Sequence, residues 1–343
     1  MELSGRERVS RVLAGEGVDR LPLLPIVHAG LAPLCGVALG DFFGSAEVMA
    51  RVMVWGYRQF GFDGVQLSMG VTGEAEALGA AVEQPREGAP VLKQHLLANL
   101  ADLAALRGRD PCRGGRMPLF FQAVQKVAQE IGDRCFILAT LRGPLLAGSQ
   151  LRGVQEVLID LIERPEEVEE LLDFTTEIAL QLGRWLLASG AHGLVLGEAT
   201  CSPNFISPAF YRRFVLPRHR HLVAALKAAG WQAVGLHICG ETTPIIADIL
   251  STGVDFMDLD YQVPAQKALS LVGDRIVLRG NLDPSAMLRF GTPASIRAQT
   301  QALCREVGRA RWIVSSGCDI PPGTPMENLI ALAQAARGCC LKS

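Results

Sequence analysis

Three soft side chains carry the clearest chemical signal. His237 and Cys239 stand one residue apart in Gly235-Leu236-His237-Ile238-Cys239-Gly240, where a short apolar run gives way to a turn. In extended backbone, positions i and i+2 face the same side, so both side chains can reach one ion. Cys318 lies far downstream in Ser315-Ser316-Gly317-Cys318-Asp319-Ile320-Pro321-Pro322, again where an apolar run ends. One imidazole and two thiolates suit a borderline-soft ion that prefers tetrahedral N/S coordination, and zinc fits best. Three protein ligands leave a fourth position open, which is the catalytic type of site. Taken alone, His-x-Cys more often marks a buried cysteine beside a hydrogen-bonded histidine. The distant Cys318 shifts that balance.

Other polar residues end apolar runs as well: His28, Gln66 with Ser68, Arg142, Glu198, Asp258 with Asp260, Asn281 with Asp283, and Ser316. Glu198 and Asp260 are candidate catalytic carboxylates, either as an exchangeable fourth ligand or as a partner of substrate. Capping the next helix is an equally good role for each. His28, Arg142, Asn281 and Asp283 are candidate substrate contacts. Cys201 follows Glu198 closely and is better read as packing. Cys35, Cys112, Cys135 and Cys304 have no metal-like neighbours and read as buried or incidental thiols, and Cys339 and Cys340 as surface thiols.

Eight short segments rich in Val, Ile and Leu position these groups: 21–27, 64–67, 135–141, 193–196, 233–238, 254–259, 275–278 and 311–314. Their brevity and continuous apolar character predict buried strands. Longer stretches of helical periodicity separate most of them, such as 165–187 and 208–229, the latter ending at Gly230. Ser4 and Glu7 have capping-box spacing and predict an N-terminal helix stopping near Gly15 to Gly17. Thr324, Pro325 and Glu327 predict a cap, a first helical position and a capping-box partner. Residues 85–134 read as inserted helices and loops.

The predicted fold is a (β/α)8 TIM barrel with an N-terminal helix and inserted helices, one domain over 1–343. An open doubly wound sheet has the same alternation. A barrel gathers all strand ends at one mouth, whereas an open sheet spreads them along a line, so the distribution of polar ends favours closure.

Composition sets outer bounds. Of 343 residues, 49% are hydrophobic and 20% charged, which is ordinary for a globular chain. With 33 Lys plus Arg against 35 Asp plus Glu, the net charge of -2 gives no field for a polyanion, so nucleic acid is excluded as a partner. The N-terminus has no apolar stretch behind its charges, and no uncharged run is long enough for a bilayer. Nine cysteines without a compact framework point to reduced thiols in a cytoplasmic compartment and no membrane role. A homo-oligomer is compatible with this composition.

At this point the chain resembles the uroporphyrinogen decarboxylase superfamily, and in particular its zinc-dependent, corrinoid-linked methyltransferase branch. The likeness runs through Arg6-Glu7-Arg8-Val9, Val18-Asp19-Arg20-Leu21-Pro22, Glu74-Ala75-Glu76-Ala77-Leu78-Gly79, Ile206-Ser207-Pro208 and Gly280-Asn281-Leu282-Asp283-Pro284. His237-x-Cys239-Gly240 and Gly317-Cys318-x-Ile320-Pro321-Pro322 identify the branch. The resemblance implies a barrel with zinc on His237, Cys239 and Cys318, moving a methyl group between a corrinoid and a small thiol, ether or amine. The Asp-x-His-x-x-Gly element of corrinoid-binding domains does not occur, so the corrinoid, as methylcobalamin, is expected on a separate protein. Tetrapyrrole decarboxylation is the weaker reading, because Pro25-Ile26-Val27-His28-Ala29-Gly30 stands where that group places arginines for the propionates. A non-catalytic zinc- or corrinoid-binding protein of the same fold is the third.

Overall fold

The computed structural model describes residues 2–309 and 311–339. Seven parallel strands form one curled sheet in consecutive order: β1 (Gly64–Leu67), β2 (Phe136–Arg142), β3 (Gly193–Gly197), β4 (Ala233–His237), β5 (Phe256–Leu259), β6 (Val277–Leu282) and β7 (Trp312–Ser316). Each matches a segment expected from sequence. The remaining segment, 21–27, makes only a single bridge, Leu23 to Val314. Pro22 and Pro25 lack N–H groups, so a regular ladder is denied it. It nevertheless closes the barrel: Leu24 N–H bonds to Val314 O at 3.0 Å and Val314 N–H to Pro22 O at 2.8 Å on one side, and Asp63 N–H to Leu23 O at 2.8 Å on the other.

Strand parity sorts the side chains. Phe136, Leu138, Val195, Ala233, Phe256, Val277 and Ile313 pack with Leu24 in a cluster distinct from the larger core between strands and helices, and so fill the lumen. Space is shared by size: a Cβ on Gly235 would lie 2.3 Å from the Phe256 ring. Val9 and Val12 of the N-terminal helix Gly5–Ala14 plug the lower end. That helix carries the expected capping box between Ser4 and Glu7 and ends at Gly15 with φ 76°. Two residues further along each strand, the same inward parity delivers polar groups to the mouth, His237 after Gly235 and Asp258 after Phe256.

The insertion between β1 and β2 contains a small hairpin, Val82–Glu83 with Val91–Leu92, a 3-10 turn Leu100–Leu106 and the helix Met117–Ile131. Helix Pro165–Ala188 forms as expected, but 208–228 contains a π segment at Tyr211–Val215. The last helix, Met326–Arg337, starts one residue later than expected, with Pro325 as its cap; Thr324 instead donates its hydroxyl to Pro321 O at 2.8 Å. Cys304 is not an isolated thiol, because it is paired with Cys339 as a disulfide across the two C-terminal helices. Cys340 falls outside the described residues. No helix among them is long and apolar enough to cross a membrane.

A buried charge cluster locks the lower end. Asp63 accepts from Arg8 at 2.5 Å, from Arg20 at 2.6 and 3.0 Å, and from the Leu23 N–H at 2.7 Å. It thereby ties the terminal helix, the closing segment and β1 together. Removing one member leaves uncompensated buried charge, so Asp63→Ala should cost roughly 3–5 kcal/mol. A urea titration should show a lower midpoint at unchanged m-value. A loss below about 1 kcal/mol, the level of a surface pair, would refute this role.

Candidate metal centre

β4 ends on His237, and the turn that follows carries Cys239. Gly240, with φ 88°, donates its N–H to Asp260 at 2.8 Å, while Asp260 also accepts from Gln262 N–H at 2.9 Å. Asp260 therefore shapes the Cys239 turn and does not line the cavity. Cys318 follows β7 through Gly317, where a Cβ would lie 2.6 Å from the Tyr261 nitrogen, so only glycine fits the close approach. These local constraints bring the three expected ligands together. His237 Nε2 lies 3.2 Å from Cys239 Sγ and 3.7 Å from Cys318 Sγ, and the sulfurs are 3.7 Å apart.

The His237 ring is oriented from behind. Its Nδ1 lies 2.9 Å from Asp258 Oδ2, and Arg279 grips both oxygens of Asp258 at 2.6 Å, with Arg279 and Asp258 buried. An Nδ1–H donated to Asp258 leaves the Nε2 lone pair for an ion. Without an ion, burial opposes charge on His237, but hydrogen bonds to Asp258 and Cys318 outweigh it and lift its pKa to about 10. The bond from Cys239 lowers the Cys318 pKa to about 5 against the effect of burial, and the same bond raises that of Cys239.

All three ligands open onto a mostly apolar cavity of about 410 Å³ at the barrel mouth, shared by His28, Arg142 and Glu198. His28 Nδ1 lies 3.3 Å from Asp319 Oδ1. Arg142 donates to Ser68 Oγ at 2.8 Å, its Nε has no partner, and it is the only Lys or Arg among the described lining residues. Glu198 is fully buried and accepts from Leu145 and Leu146 N–H at 3.1 and 2.8 Å and from His219 at 3.0 Å. It caps the helix Pro144–Arg152 and clusters with Cys201 and His219, apart from the three-ligand corner. Asn281 and Asp283 do not line the cavity. Asn281 donates to Val263 O at 2.8 Å, and Asp283 caps the next turn through the Ser285 and Ala286 N–H groups.

Sequence alone assigns Asp258 no role as the histidine's partner and does not pair Arg279 with it. Strand parity was the available signal, because Asp258 follows inward Phe256 as His237 follows inward Gly235. His219 carries no sequence signal, since a helix-borne histidine facing Glu198 is visible only in three dimensions.

Asp258→Asn should weaken metal binding by about 10–100-fold, as loss of a partner behind a ligating histidine does. Chelator competition measures this, and unchanged affinity would contradict the orienting role. Loading must expel the protons on His237 and Cys239, so affinity should rise with pH through the neutral range.

Residues 4–339 match the family model described as Uroporphyrinogen decarboxylase (URO-D). The chain is 28% identical to Methylcobamide:CoM methyltransferase MtbA of Methanosarcina acetivorans, over 98% of each chain. It is 26% identical to Methylcobamide:CoM methyltransferase MtaA of Methanosarcina barkeri, covering 97% of this chain and 98% of that one. A solved methyltransferase from Methanosarcina mazei superposes with a TM-score of 0.89 at 25% identity, covering 98% and 99% of the two chains. The chain therefore belongs to the uroporphyrinogen decarboxylase family.

Proposed function

We propose that this protein is a zinc-dependent methyltransferase that moves a methyl group between a corrinoid on a separate protein and a small thiol. The observation that carries the reading is the spacing of His237, Cys239 and Cys318. Zn–S bonds near 2.3 Å and Zn–N bonds near 2.0–2.1 Å in a tetrahedron give S···S and N···S edges of about 3.8 and 3.5 Å. The edges found are 3.7 Å between sulfurs and 3.2 and 3.7 Å from nitrogen to sulfur, and the donor set is of the right softness. The full-length relatives named as methylcobamide:CoM methyltransferases support the same assignment.

Zinc, when bound, supplies Lewis acidity that ionises the thiol, worth roughly 2 kcal/mol at neutral pH for a thiol of pKa near 8.5. The chain's own residues do the rest. Asp258 keeps Nε2 of His237 available as a neutral donor. The Cys239 and Cys318 thiolates cancel the charge of a divalent ion, so a sulfur beside them retains its nucleophilicity. The apolar walls exclude water from the attacking sulfur, and His28 and Arg142 face the remainder of the substrate. Holding sulfur and methyl carbon in line contributes about 7–11 kcal/mol, so positioning outweighs ionisation. Sulfur forms the new bond to carbon as the cobalt–carbon bond breaks, and cobalt keeps the electron pair.

The geometry disfavours decarboxylation of a tetrapyrrole with eight carboxylates. Arg142 is the one guanidinium at the described cavity wall, since Arg279 is consumed by Asp258.

Purified protein should hold about one zinc per chain. It should demethylate free methylcobalamin slowly with at least one small thiol, or run the reverse reaction, while leaving uroporphyrinogen unchanged. Cys239→Ser and Cys318→Ser should lose zinc and transfer together and keep their circular dichroism. Fully zinc-loaded protein that transfers in neither direction across a thiol panel, with free or protein-bound corrinoid, would end the assignment. Appearance of coproporphyrin would favour the decarboxylase instead.

A further inference from the structure

Four aromatic side chains are strongly exposed among the described residues: Trp185, Phe205, Tyr261 and Phe290, at 53%, 55%, 47% and 78%. Phe205 and Tyr261 sit on the segments that leave the upper ends of β3 and β5, and Phe290 ends the short helix Pro284–Arg289 that follows β6. Phe205 adjoins Asn204, whose amide lies 3.0 Å from where a Cβ on Gly240 would stand, next to Cys239. Tyr261 contributes the backbone nitrogen packed against Gly317, next to Cys318. Phe290 lies under the Arg289 guanidinium, 5.4 Å from the ring centroid, and Arg289 reaches Gly323, which follows the cavity residue Pro322. Exposed aromatics gathered on one face mark an interaction site far more often than scattered ones do.

We propose that Phe205, Tyr261 and Phe290 form a shelf that supports the corrin ring of the methyl donor above the cavity. The inference rests on the methyltransferase reading and adds the surface that receives the donor. A cavity of about 410 Å³ accepts a small thiol, but a corrin with its peripheral amides is several times larger and must stay at the rim. Only the methyl group, on the face of the corrin turned toward the cavity, can then enter toward the sulfur. The corrin is a broad, largely apolar disc with an amide-bearing edge. Two phenyl rings offer it dispersion contact, and Tyr261 adds a hydroxyl for an edge amide. The three side chains come from separate segments that follow β3, β5 and β6, so together they restrain the tilt of the disc, and tilt decides whether methyl and sulfur are in line.

Free methylcobalamin and cob(II)alamin, which carries no methyl group, are the probes. The triple variant Phe205→Ser, Tyr261→Ser, Phe290→Ser alters exposed positions, and Trp185→Ser serves as the control for loss of an exposed aromatic elsewhere. In the triple variant, kcat/KM for methylcobalamin at saturating thiol should fall at least tenfold. The Kd for cob(II)alamin by equilibrium dialysis should rise at least fivefold, with zinc content and thiol affinity unchanged. Trp185→Ser should match the unaltered enzyme in both. Unchanged cobalamin affinity in the triple variant, or an equal loss in Trp185→Ser, would overturn the shelf. If the unaltered enzyme transfers no methyl group at all, the functional reading fails on its own, while dialysis still decides whether the shelf holds a corrin.

Discussion

Asp258 stands between Arg279 and His237 in three neighbouring strands, and each of the three is paired in register with the next. A carboxylate with less than 2% exposure is tolerable only because a bidentate guanidinium and an imidazole satisfy both its oxygens. Burial alone would raise its pKa, yet Arg279 and His237 lower it below the usual carboxylate value. The arrangement is also a register lock. A slip of one residue in any of the three strands would turn its side chain out of the lumen and leave the others buried without partners. The sheet is thus held in the alignment that aims His237 Nε2 at the two sulfurs.

Closure of the barrel supplies the second half of the site. His237 and Cys239 come from β4, whereas Cys318 comes from the loop after β7, and the closing segment positions that loop. Ile26 N–H bonds to Ser316 Oγ at 3.3 Å, and Ile320 N–H bonds to Ile26 O at 2.8 Å. Gly30 permits the contact, because a Cβ there would lie 2.7 Å from Ile320 O. The prolines that keep 21–27 from being a regular strand therefore do not weaken closure. They leave a short irregular segment whose free carbonyls bond to both neighbours, and they carry His28 to the same cavity as Cys318.

Much of this is legible in the amino-acid sequence. Seven strands follow from apolar runs, and the meeting of His237, Cys239 and Cys318 follows from residue type and strand-end position, because both depend on local pattern. The roles of the remaining polar residues do not. Asn281 and Asp283 end a strand just as His237 does, but their side chains satisfy backbone groups of the following loop, a competition that short polar side chains often enter. Glu198 is held by two amides at a helix N-terminus and by His219, eleven residues into the segment that begins at Pro208, so its surroundings are set by packing of distant elements. Arg279 has no partner within its own segment, and only the register of β5 and β6 reveals Asp258 as its partner. Cys304 and Cys339 bear no spacing signal, since their proximity depends on how the last two helices pack.

Central to the proposed function is an ion held by one nitrogen and two sulfurs, with a fourth place open to a thiol. Zinc K-edge X-ray absorption reads that shell directly in the loaded protein, before and after a thiol is added. The prediction is two sulfur and two nitrogen or oxygen neighbours without thiol, changing to three sulfurs and one nitrogen with it, at about 2.3 Å for sulfur. A shell dominated by nitrogen and oxygen, or one that no thiol alters, would contradict it.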